Sequence, residues 1–316
     1  MKASVQPYYS PKLLAEACSH YQLNGDQAKL LRENSNLVFD CGDQVLRLTH
    51  SSVRRIEDMQ VELEWLIDLK NRGLPVVHLV PSLTGRFFVQ ITVGDTYFTA
   101  TCFQKIYGRK INKDDWTASH FRLLGTLAAQ LHKAANDFSY PSKIVYPHWN
   151  ETADYFHSRH LPEDERRLPA LHDQLIDQFA NYPKTPENYG LIHYDIHHGN
   201  YLLTPKQGLI LFDFEMTCKA WFMKDIAALF YYALNYDPTT EALLPHFWQA
   251  YEALKPISAQ EKEWLPALLL YRDLMVLGYI LDVWDHRGQL TAQQRQYTDR
   301  LEKSIARRAG QLGWAM

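Results

Sequence analysis

The sequence predicts an α+β protein of two lobes, a small β-rich N-terminal lobe and a larger, mainly helical C-terminal lobe. Two observations lead to this prediction. Up to about residue 105, short runs with strand character surround one clear helical segment. After Tyr107 and Gly108, the apolar residues recur mainly at helical spacing. We therefore expect the N-terminal lobe at residues 1–104 and the C-terminal lobe at residues 105–316.

The small lobe is expected to contain a hairpin, a long helix and two further strands. Gly42 and Asp43 stand between two β-prone runs, as at the tip of a hairpin. Gly73 and Pro75 end the helical period that follows. The predicted elements are mixed helix at 8–32, paired strands at 37–39 and 44–48, a helix at 56–72, and strands at 87–93 and 97–106.

The large lobe is predicted to be helical around one group of strands. Its clearest helix covers residues 117–136, where Phe121, Leu124 and Leu131 share one face. Residues 153–182 have the charged character of an exposed helix. Short apolar runs predict strands within 190–215. A buried helix then begins near Asp225, and further helices continue to the end.

Composition argues against several classes of protein. The formal net charge is −3 with acids and bases mixed, so we expect neither nucleic acid nor membrane as a partner. Four scattered cysteines without C-x-x-C pairs are typical of a reduced, cytoplasmic protein. No signal peptide is expected at the start, and no stretch is expected to span a bilayer, because Pro266, Arg272 and Asp273 interrupt residues 265–281. The oligomeric state stays open.

The most informative motif runs from His193 to Asn200 and is followed by Asp213 and Glu215. Apolar runs flank these polar residues, which are therefore expected at the ends of buried strands. The spacing His-x-Asp-x-x-x-x-Asn is that of the catalytic loop in phosphoryl-transfer enzymes. Phosphoryl transfer depends on positioning and charge neutralisation, so this spacing indicates a role for each polar residue.

Asp195 is the candidate catalytic residue, which would align the acceptor hydroxyl or accept its proton. Asn200 and Asp213 are the candidate ligands of Mg²⁺, an ion that prefers hard oxygen donors and few protein carboxylates. Glu215 shares a strand face with Asp213 and would either support the metal through water or form a salt bridge. Asp225 begins the next helix and is expected to brace the loop by accepting backbone N–H bonds, or to be only a helix-terminal acid.

The histidines of the motif allow two interpretations. His193 is expected to hold the loop by hydrogen bonds, as a buried histidine usually must. His197 and His198, beside aspartates, would also suit the dinuclear metal site of a hydrolase. That alternative leaves Asn200 and Asp213 without a role, so we expect His197 and His198 to take no part in the reaction.

In the small lobe, Arg47 would point away from its apolar neighbours and pair with nucleotide phosphates. Glu62 on the following helix would orient it, with Glu64 as the competing partner about 200° around the helix. Phe103 and Lys105 lie in the segment expected to link the lobes and to contact an adenine ring. Each of these residues has a plainer alternative, a solvated charge or an ordinary edge strand.

The acceptor is expected to bind to the large lobe. The candidates lie in residues 271–273 and 279–285. Tyr279, Asp282 and Asp285 would suit an amine or a polyhydroxyl group, with Trp284 as an aromatic wall. Aromatic residues at helical spacing are more often core residues, which is the alternative for Tyr279 and Trp284. Trp221 and Phe222, shortly after Glu215, are expected to shape the acceptor mouth.

The chain resembles the aminoglycoside phosphotransferase and choline kinase-like family, which has a bilobal protein-kinase-like fold. The resemblance covers roughly residues 30–235 and is strongest at 191–200, 212–215 and 224–227. It is moderate at 45–48, 62–66, 73–76 and 121–132.

This resemblance implies transfer of the γ-phosphate of ATP, or sometimes GTP, to a hydroxyl. It implies Asp195 as catalytic base, Asn200 and Asp213 as Mg²⁺ ligands, and Arg47 with Glu62 at the phosphates. Two departures are visible: Arg47 stands where many relatives carry Lys, and the phosphate loop has no glycine.

The sequence thus predicts an ATP- and Mg²⁺-dependent phosphotransferase that acts on a small molecule such as an amino alcohol, a sugar or an aminoglycoside-like compound. Three alternatives remain open at this point. They are a nucleotide-binding relative without catalysis, a protein Ser/Thr kinase, and a His/Asp metallohydrolase.

Overall fold

A computed structural model describes residues 5–33, 35–141, 143–152, 167–206, 208–284 and 290–314, without the side chains of residues 236 and 282–284. By packing, the chain divides into two compact units. The first unit comprises Met1–Ile111, Phe138–Val145 and Gly199–Glu215, and the second comprises Asn112–Asp137, Tyr146–His198 and Met216–Met316. These units are defined by internal contacts, and the functional boundary at residue 104 stays a prediction.

An antiparallel sheet of six strands forms the body of the first unit. The order is β1-β2-β3-β6-β4, and β5 pairs with β6 as well. The predicted hairpin is confirmed as β2 and β3, with Gly42 between them at a φ of 85° that favours glycine. The strands are β1 Lys29–Glu33, β2 Leu37–Asp40, β3 Gln44–His50, β4 Leu79–Val80, β5 Val89–Val93 and β6 Thr96–Gln104.

Two α-helices belong to the first unit, α1 at Pro11–Ser19 and α2 at Ile56–Asn71. The predicted helix at 56–72 is confirmed, and Gly73 follows it in the left-handed region. The helical prediction for residues 8–32 is wrong beyond Ser19, because Lys29–Glu33 forms an edge strand paired with β2. Backbone pairing there outweighs the helical spacing of the apolar residues, and Leu30 and Leu31 are exposed.

A short antiparallel ribbon completes the first unit. Its strands are β8 at Tyr201–Thr204 and β9 at Gly208–Leu211, with Tyr201 opposite Leu211. The N–H of Phe212 donates to the carbonyl of Asn200 at 2.9 Å, so the ladder continues one step beyond the strands. Asn200 and Asp213 therefore flank the same open end of the ribbon.

The second unit is mainly helical, and a two-stranded antiparallel sheet of β7 and β10 lies within it. Helices α3 and α6 pack closely at Gly125, where a Cβ atom would come within 2.3 Å of the carbonyl oxygen of Phe247. The elements are α3 Ala118–Asn136, α4 Arg167–Ala180, β7 Tyr189–Ile192, β10 Cys218–Trp221, α5 Phe222–Tyr236, α6 Leu244–Glu252, α7 Ala259–Glu263, α8 Leu265–Trp284 and α9 Ala292–Gln311.

Helix α8 corrects one expectation about the chain. By length and composition, the stretch Ala259–Leu281 is apolar enough to cross a membrane despite its interrupting residues, because it contains an 18-residue window with a mean hydropathy of 1.4. However, 72% of that window is buried inside the protein, and the core helix of a folded domain passes the same test. Burial therefore accounts for its apolar character.

Candidate active site

The first unit contains a cavity of about 320 Å³, a volume within the range of small-molecule sites. Its lining combines apolar and charged side chains. The apolar ones include Val38, Val45, Val77, Phe103 and Leu202, and the charged ones are Arg32, Arg47, Lys105, Asp213 and Glu215. Such a lining suits a ligand with an aromatic part and a charged part.

Arg47 reaches this cavity from β3 and is held by a carboxylate of α2. Its Nη1 and Nη2 donate to Oε1 and Oε2 of Glu62, both at 2.9 Å, and Arg54 also donates to Glu62. Glu62 is therefore the partner of Arg47, and Glu64 is not. Burial by itself would raise the pKa of Glu62, but the charges of Arg47 and Arg54 outweigh it and lower that pKa. The group stays ionised and fixes the guanidinium plane of Arg47.

Asp213 and Glu215 follow the ribbon and face the loop after β1. Arg32 Nη1 lies 3.2 Å from Oδ2 of Asp213, and Asn36 Nδ2 donates to Oε2 of Glu215 at 2.5 Å. Burial and then the charge of Asp213 raise the pKa of Glu215. Arg32 of β1 and Asn36 of the turn that follows thus contact the two acids in a region where the sequence lacks a glycine-rich phosphate loop.

Asn200 and Asp213 fit a hard divalent cation. Both bring oxygen donors to the open end of the ribbon, and Asn200 is buried. Asp213 has a left-handed φ of 68°, a strained conformation for a residue with a side chain, which is typical of functional sites. Burial and then the charge of Asp213 raise the pKa of Glu215, and a bound cation would offset that charge.

The segment predicted to link the lobes lies at the end of β6. Phe103 lines the cavity, and the Arg47 guanidinium carbon lies 5.1 Å from its ring centroid. Lys105 also lines the cavity and pairs with Asp40 at 2.7 Å. The N–H groups of Gln104 and Lys105 already donate to the carbonyls of His78 and Asp43. An adenine edge would have to use other atoms of this segment.

In the second unit, Asp225 holds the backbone of the catalytic loop. Its Oδ2 accepts the N–H of His193 at 3.0 Å, and its Oδ1 accepts the N–H of Tyr194 at 2.5 Å. His132 of α3 lies 3.3 Å from the same carboxylate, and burial lowers the pKa of this histidine. These contacts stabilise Tyr194 in a left-handed conformation with a φ of 69°. His193 Nδ1 in turn accepts the N–H of Asp195 at 3.2 Å.

Asp195 lies between two cationic or titratable side chains. Arg272 of α8 forms an ion pair with its Oδ1, and His197 Nε2 lies 3.3 Å from its Oδ2. Burial would raise the pKa of Asp195, but the hydrogen bond from His197 and the charge of Arg272 lower it well below its usual range. The side chain remains 22% exposed, so a ligand can reach it.

Two of these contacts add to the sequence interpretation. His197 contacts the carboxylate of Asp195, and the expectation that it takes no part in the reaction stays a prediction. Arg272 is predicted on the acceptor side with residues 271–273, and it forms an ion pair with Asp195. The signal for this contact is that a buried charge requires a partner. Arg32 and Asn36 were missed because nothing local marks a surface strand and its turn as a site.

The acceptor side is only partly visible. Tyr279 is exposed on α8. Asp285 and the side chains of Asp282 and Trp284 lie outside the described residues, so their predicted roles stay predictions. Trp221 and Phe222 are fully buried, which makes the prediction that they shape the acceptor mouth wrong. They belong to the aromatic core of the second unit, where Trp221 packs edge-on against Tyr189.

The histidine-rich motif does not form a metal centre within the part of the chain that the structure describes. No group of three or more His, Cys, Asp or Glu side chains there is placed to hold a metal ion. His198 instead lies beside Trp116, with ring centroids 6.1 Å apart. The metallohydrolase alternative gains no support from these residues.

Comparison with known proteins identifies the family. The model of the phosphotransferase enzyme family matches residues 27–266. Amicoumacin kinase from Bacillus subtilis (strain 168) is 27% identical over 292 residues, covering 88% of this chain and 87% of that protein.

Solved structures agree on the fold. An amicoumacin kinase in complex with AMP-PNP and Ca²⁺ superposes with a TM-score of 0.91 at 24% identity, covering 96% of both chains. A microcompartment-associated aminopropanol kinase gives a TM-score of 0.71 at 21% identity, covering 95% of both chains. The predicted α+β, protein-kinase-like fold class is confirmed. The chain belongs to the phosphotransferase enzyme family, and it is a kinase of the kind that acts on small molecules.

Proposed function

We propose that this protein transfers the γ-phosphate of ATP to a hydroxyl group of a small molecule in a Mg²⁺-dependent reaction. The observation that carries the proposal is the cavity of the first unit, which places Arg47, oriented by Glu62, together with Asp213 and Glu215. A nucleoside triphosphate has the matching parts: an apolar ring, an anionic chain and an associated cation.

In this proposal the nucleotide ring packs against the apolar lining, where Val45, Phe103 and Leu202 are found. Arg47 neutralises phosphate charge with a guanidinium that Glu62 keeps in one orientation. Asn200 and Asp213 would hold Mg²⁺, which would neutralise phosphate charge when bound. Asp195 accepts the hydrogen bond of the acceptor hydroxyl and thereby orients its oxygen towards phosphorus.

We propose amicoumacin as the first acceptor to test and amino alcohols such as 1-amino-2-propanol as the second. The support is the similarity to an amicoumacin kinase over 88% of the chain and to an aminopropanol kinase in fold. An aminopropanol combines an amine with a hydroxyl.

The test is an acceptor screen with Mg-ATP. Release of ADP and mass spectrometry of the acceptor would be measured for amicoumacin, 1-amino-2-propanol, homoserine, choline and an aminoglycoside. We expect a phosphorylated product with one of these classes and none without Mg²⁺. GTP, assayed in parallel, is expected to be the poorer donor, and a peptide library with Ser and Thr tests the protein-kinase alternative.

Thermal unfolding separates catalysis from binding alone. A ligand at about a hundred times its Kd adds roughly 2.7 kcal/mol to the free energy of unfolding, so Mg-ATP should raise the midpoint clearly. EDTA should remove most of that gain. A shift with no transfer to any acceptor would favour a nucleotide-binding relative, and no shift with ATP or GTP would contradict the proposal.

A further inference from the structure

Arg272 connects helix α8 to the catalytic loop of the second unit. The side chain is buried, and its Nη2 forms the ion pair with Oδ1 of Asp195. Nη1 donates to the carbonyl of Tyr194 at 3.1 Å, and Nη2 also donates to the hydroxyl of Tyr232 on α5 at 3.1 Å. One planar guanidinium thus binds the carboxylate of Asp195 and the backbone of the residue before it.

These contacts distinguish the two oxygens of Asp195. Oδ1 takes the buried guanidinium, whereas Oδ2 lies 3.3 Å from Nε2 of His197, whose side chain is partly exposed. A long contact to a partly exposed imidazole is easier for a ligand to replace than a buried ion pair. Oδ2 is therefore the oxygen that an acceptor hydroxyl can reach.

The loop backbone already has its own brace. Asp225 accepts the N–H groups of His193 and Tyr194, so the path of the chain does not depend on Arg272 alone. Asp225 accepts hydrogen bonds from the backbone of the loop, whereas Arg272 forms an ion pair with the side chain of Asp195. The ion pair with Arg272 fixes the orientation of the Asp195 carboxylate. It also offsets the negative charge of Asp195, which would repel an incoming phosphoryl group.

We propose that Arg272 is a positioning residue of the transfer reaction, which turns the Asp195 carboxylate so that Oδ2 meets the acceptor hydroxyl. This inference rests on the proposed function. In the step it serves, the acceptor oxygen forms a bond to the γ-phosphorus while the bond from that phosphorus to the bridging oxygen breaks. ADP leaves with the electron pair, and the acceptor proton passes by way of Asp195 to solvent.

The test compares Arg272→Met and Arg272→Lys with the wild type, using the best acceptor from the screen. Loss of orientation should lower kcat by about a hundredfold in Arg272→Met. Lysine keeps the positive charge but lacks the planar guanidinium. The kcat of Arg272→Lys should therefore be at least about tenfold higher than that of Arg272→Met. The Kd of Mg-ATP, measured by calorimetry, should stay within about threefold in both variants, because Arg272 belongs to the other unit.

A matched control is Arg308→Met. Arg308 is a buried arginine of the same unit, and its Nε lies 2.9 Å from Asp273 of α8. Its loss should lower the unfolding midpoint but leave kcat unchanged at temperatures below unfolding. If Arg272→Met behaves like Arg308→Met, Arg272 has only a structural role and the proposal is overturned.

The pH profile of kcat gives a readout that a structural role would not move. The titratable and charged groups around Asp195 are Arg272 of α8, His193 and His197 of the loop, and Tyr232 near Arg272. Removing the positive charge should raise the pKa of Asp195, so the acid limb of Arg272→Met should move to higher pH by about one unit or more. Arg272→Lys should keep the wild-type limb.

Should Arg272→Met fail to fold, Tyr232→Phe and Arg272→Lys keep the test decisive. Tyr232→Phe removes one hydrogen bond of the guanidinium and should lower kcat by about two- to tenfold. Wild-type kcat in both variants would overturn the inference. Failure of the wild type to phosphorylate any acceptor would instead be a failure of the proposed function.

Discussion

Asp195 of the second unit and the acids Asp213 and Glu215 of the first unit have opposite electrostatic surroundings. Arg272 and His197 flank Asp195, and its pKa is lowered although it is largely buried. Glu215 has another carboxylate as its neighbour, and its pKa is raised. The first arrangement keeps a fixed negative charge for a hydroxyl to bind. The arrangement of Asp213 and Glu215 is electrostatically unfavourable by itself and becomes favourable when a cation is added.

A third carboxylate helps to interpret this difference. Glu62 is more deeply buried than Glu215, but it contacts two guanidiniums, and its pKa is lowered. Burial raises the pKa of all three acids. The number of cations in contact therefore decides whether the pKa ends above or below its usual value.

The largest expected effect tests the role of Asp195. Asp195→Asn should lower kcat by about 10²–10⁴-fold, because an amide cannot take the acceptor proton and orients the hydroxyl poorly. The Kd of Mg-ATP should change little. Steady-state kinetics and calorimetry measure both quantities. Transfer at the wild-type rate would remove Asp195 from the mechanism.

Stability should depend strongly on Glu62. Glu62→Gln leaves Arg47 and Arg54 without a buried counter-charge and should cost about 3–5 kcal/mol. Thermal unfolding of the nucleotide-free protein is the measurement. Glu64→Gln, two positions along the same helix, is the matched control and should change the midpoint much less because Glu64 is only half-buried. Equal effects of the two variants would contradict the assignment of Glu62.

Asp273 extends the comparison to an acid with a single guanidinium partner. Burial raises its pKa to about 6, and the charge of Arg308 offsets this only in part. The folded-state pKa lies above the usual value near 3.9, so this group stabilises the fold at low pH and that contribution is lost as pH rises through about 6.

The wild type should therefore lose about 3 kcal/mol relative to Asp273→Asn between pH 4 and pH 7. Unfolding midpoints across that range measure the difference. Two midpoint curves that stay parallel would show that Asp273 does not titrate there.

The smallest expected effect is that two substitutions, Asp195→Asn and Glu215→Gln, change the free energy of unfolding in different directions. Without metal, Asp195→Asn should lower the stability by about 2 kcal/mol, because it leaves Arg272 without its counter-charge. Glu215→Gln should cost nothing or add on the order of 1 kcal/mol, because it relieves repulsion with Asp213. Mg²⁺ titrated during unfolding should stabilise the wild type more than Glu215→Gln. The same sign for both variants would break the comparison.

Much of the fold and the donor chemistry could be predicted because the relevant signals are local. Alternating apolar residues and Gly42 predict the β2–β3 hairpin, and apolar spacing predicts α2. The edge strand β1 could not be predicted in this way, because it is specified by its pairing with β2 and its apolar side chains are exposed. Trp221 and Phe222 were misplaced for a related reason, since an aromatic residue near a motif has the same local pattern whether it lines a site or the core.

By itself, the sequence determined the fold class and the spacing that singles out Asp195, Asn200 and Asp213. It did so because helical and strand periodicity and motif spacing extend over only a few residues. Only the tertiary structure decided which charges meet. Arg272 contacts Asp195 across 77 positions, and Arg32 contacts Asp213 across 181. Contacts at such separations are set by how helices and strands pack, and no local pattern records them.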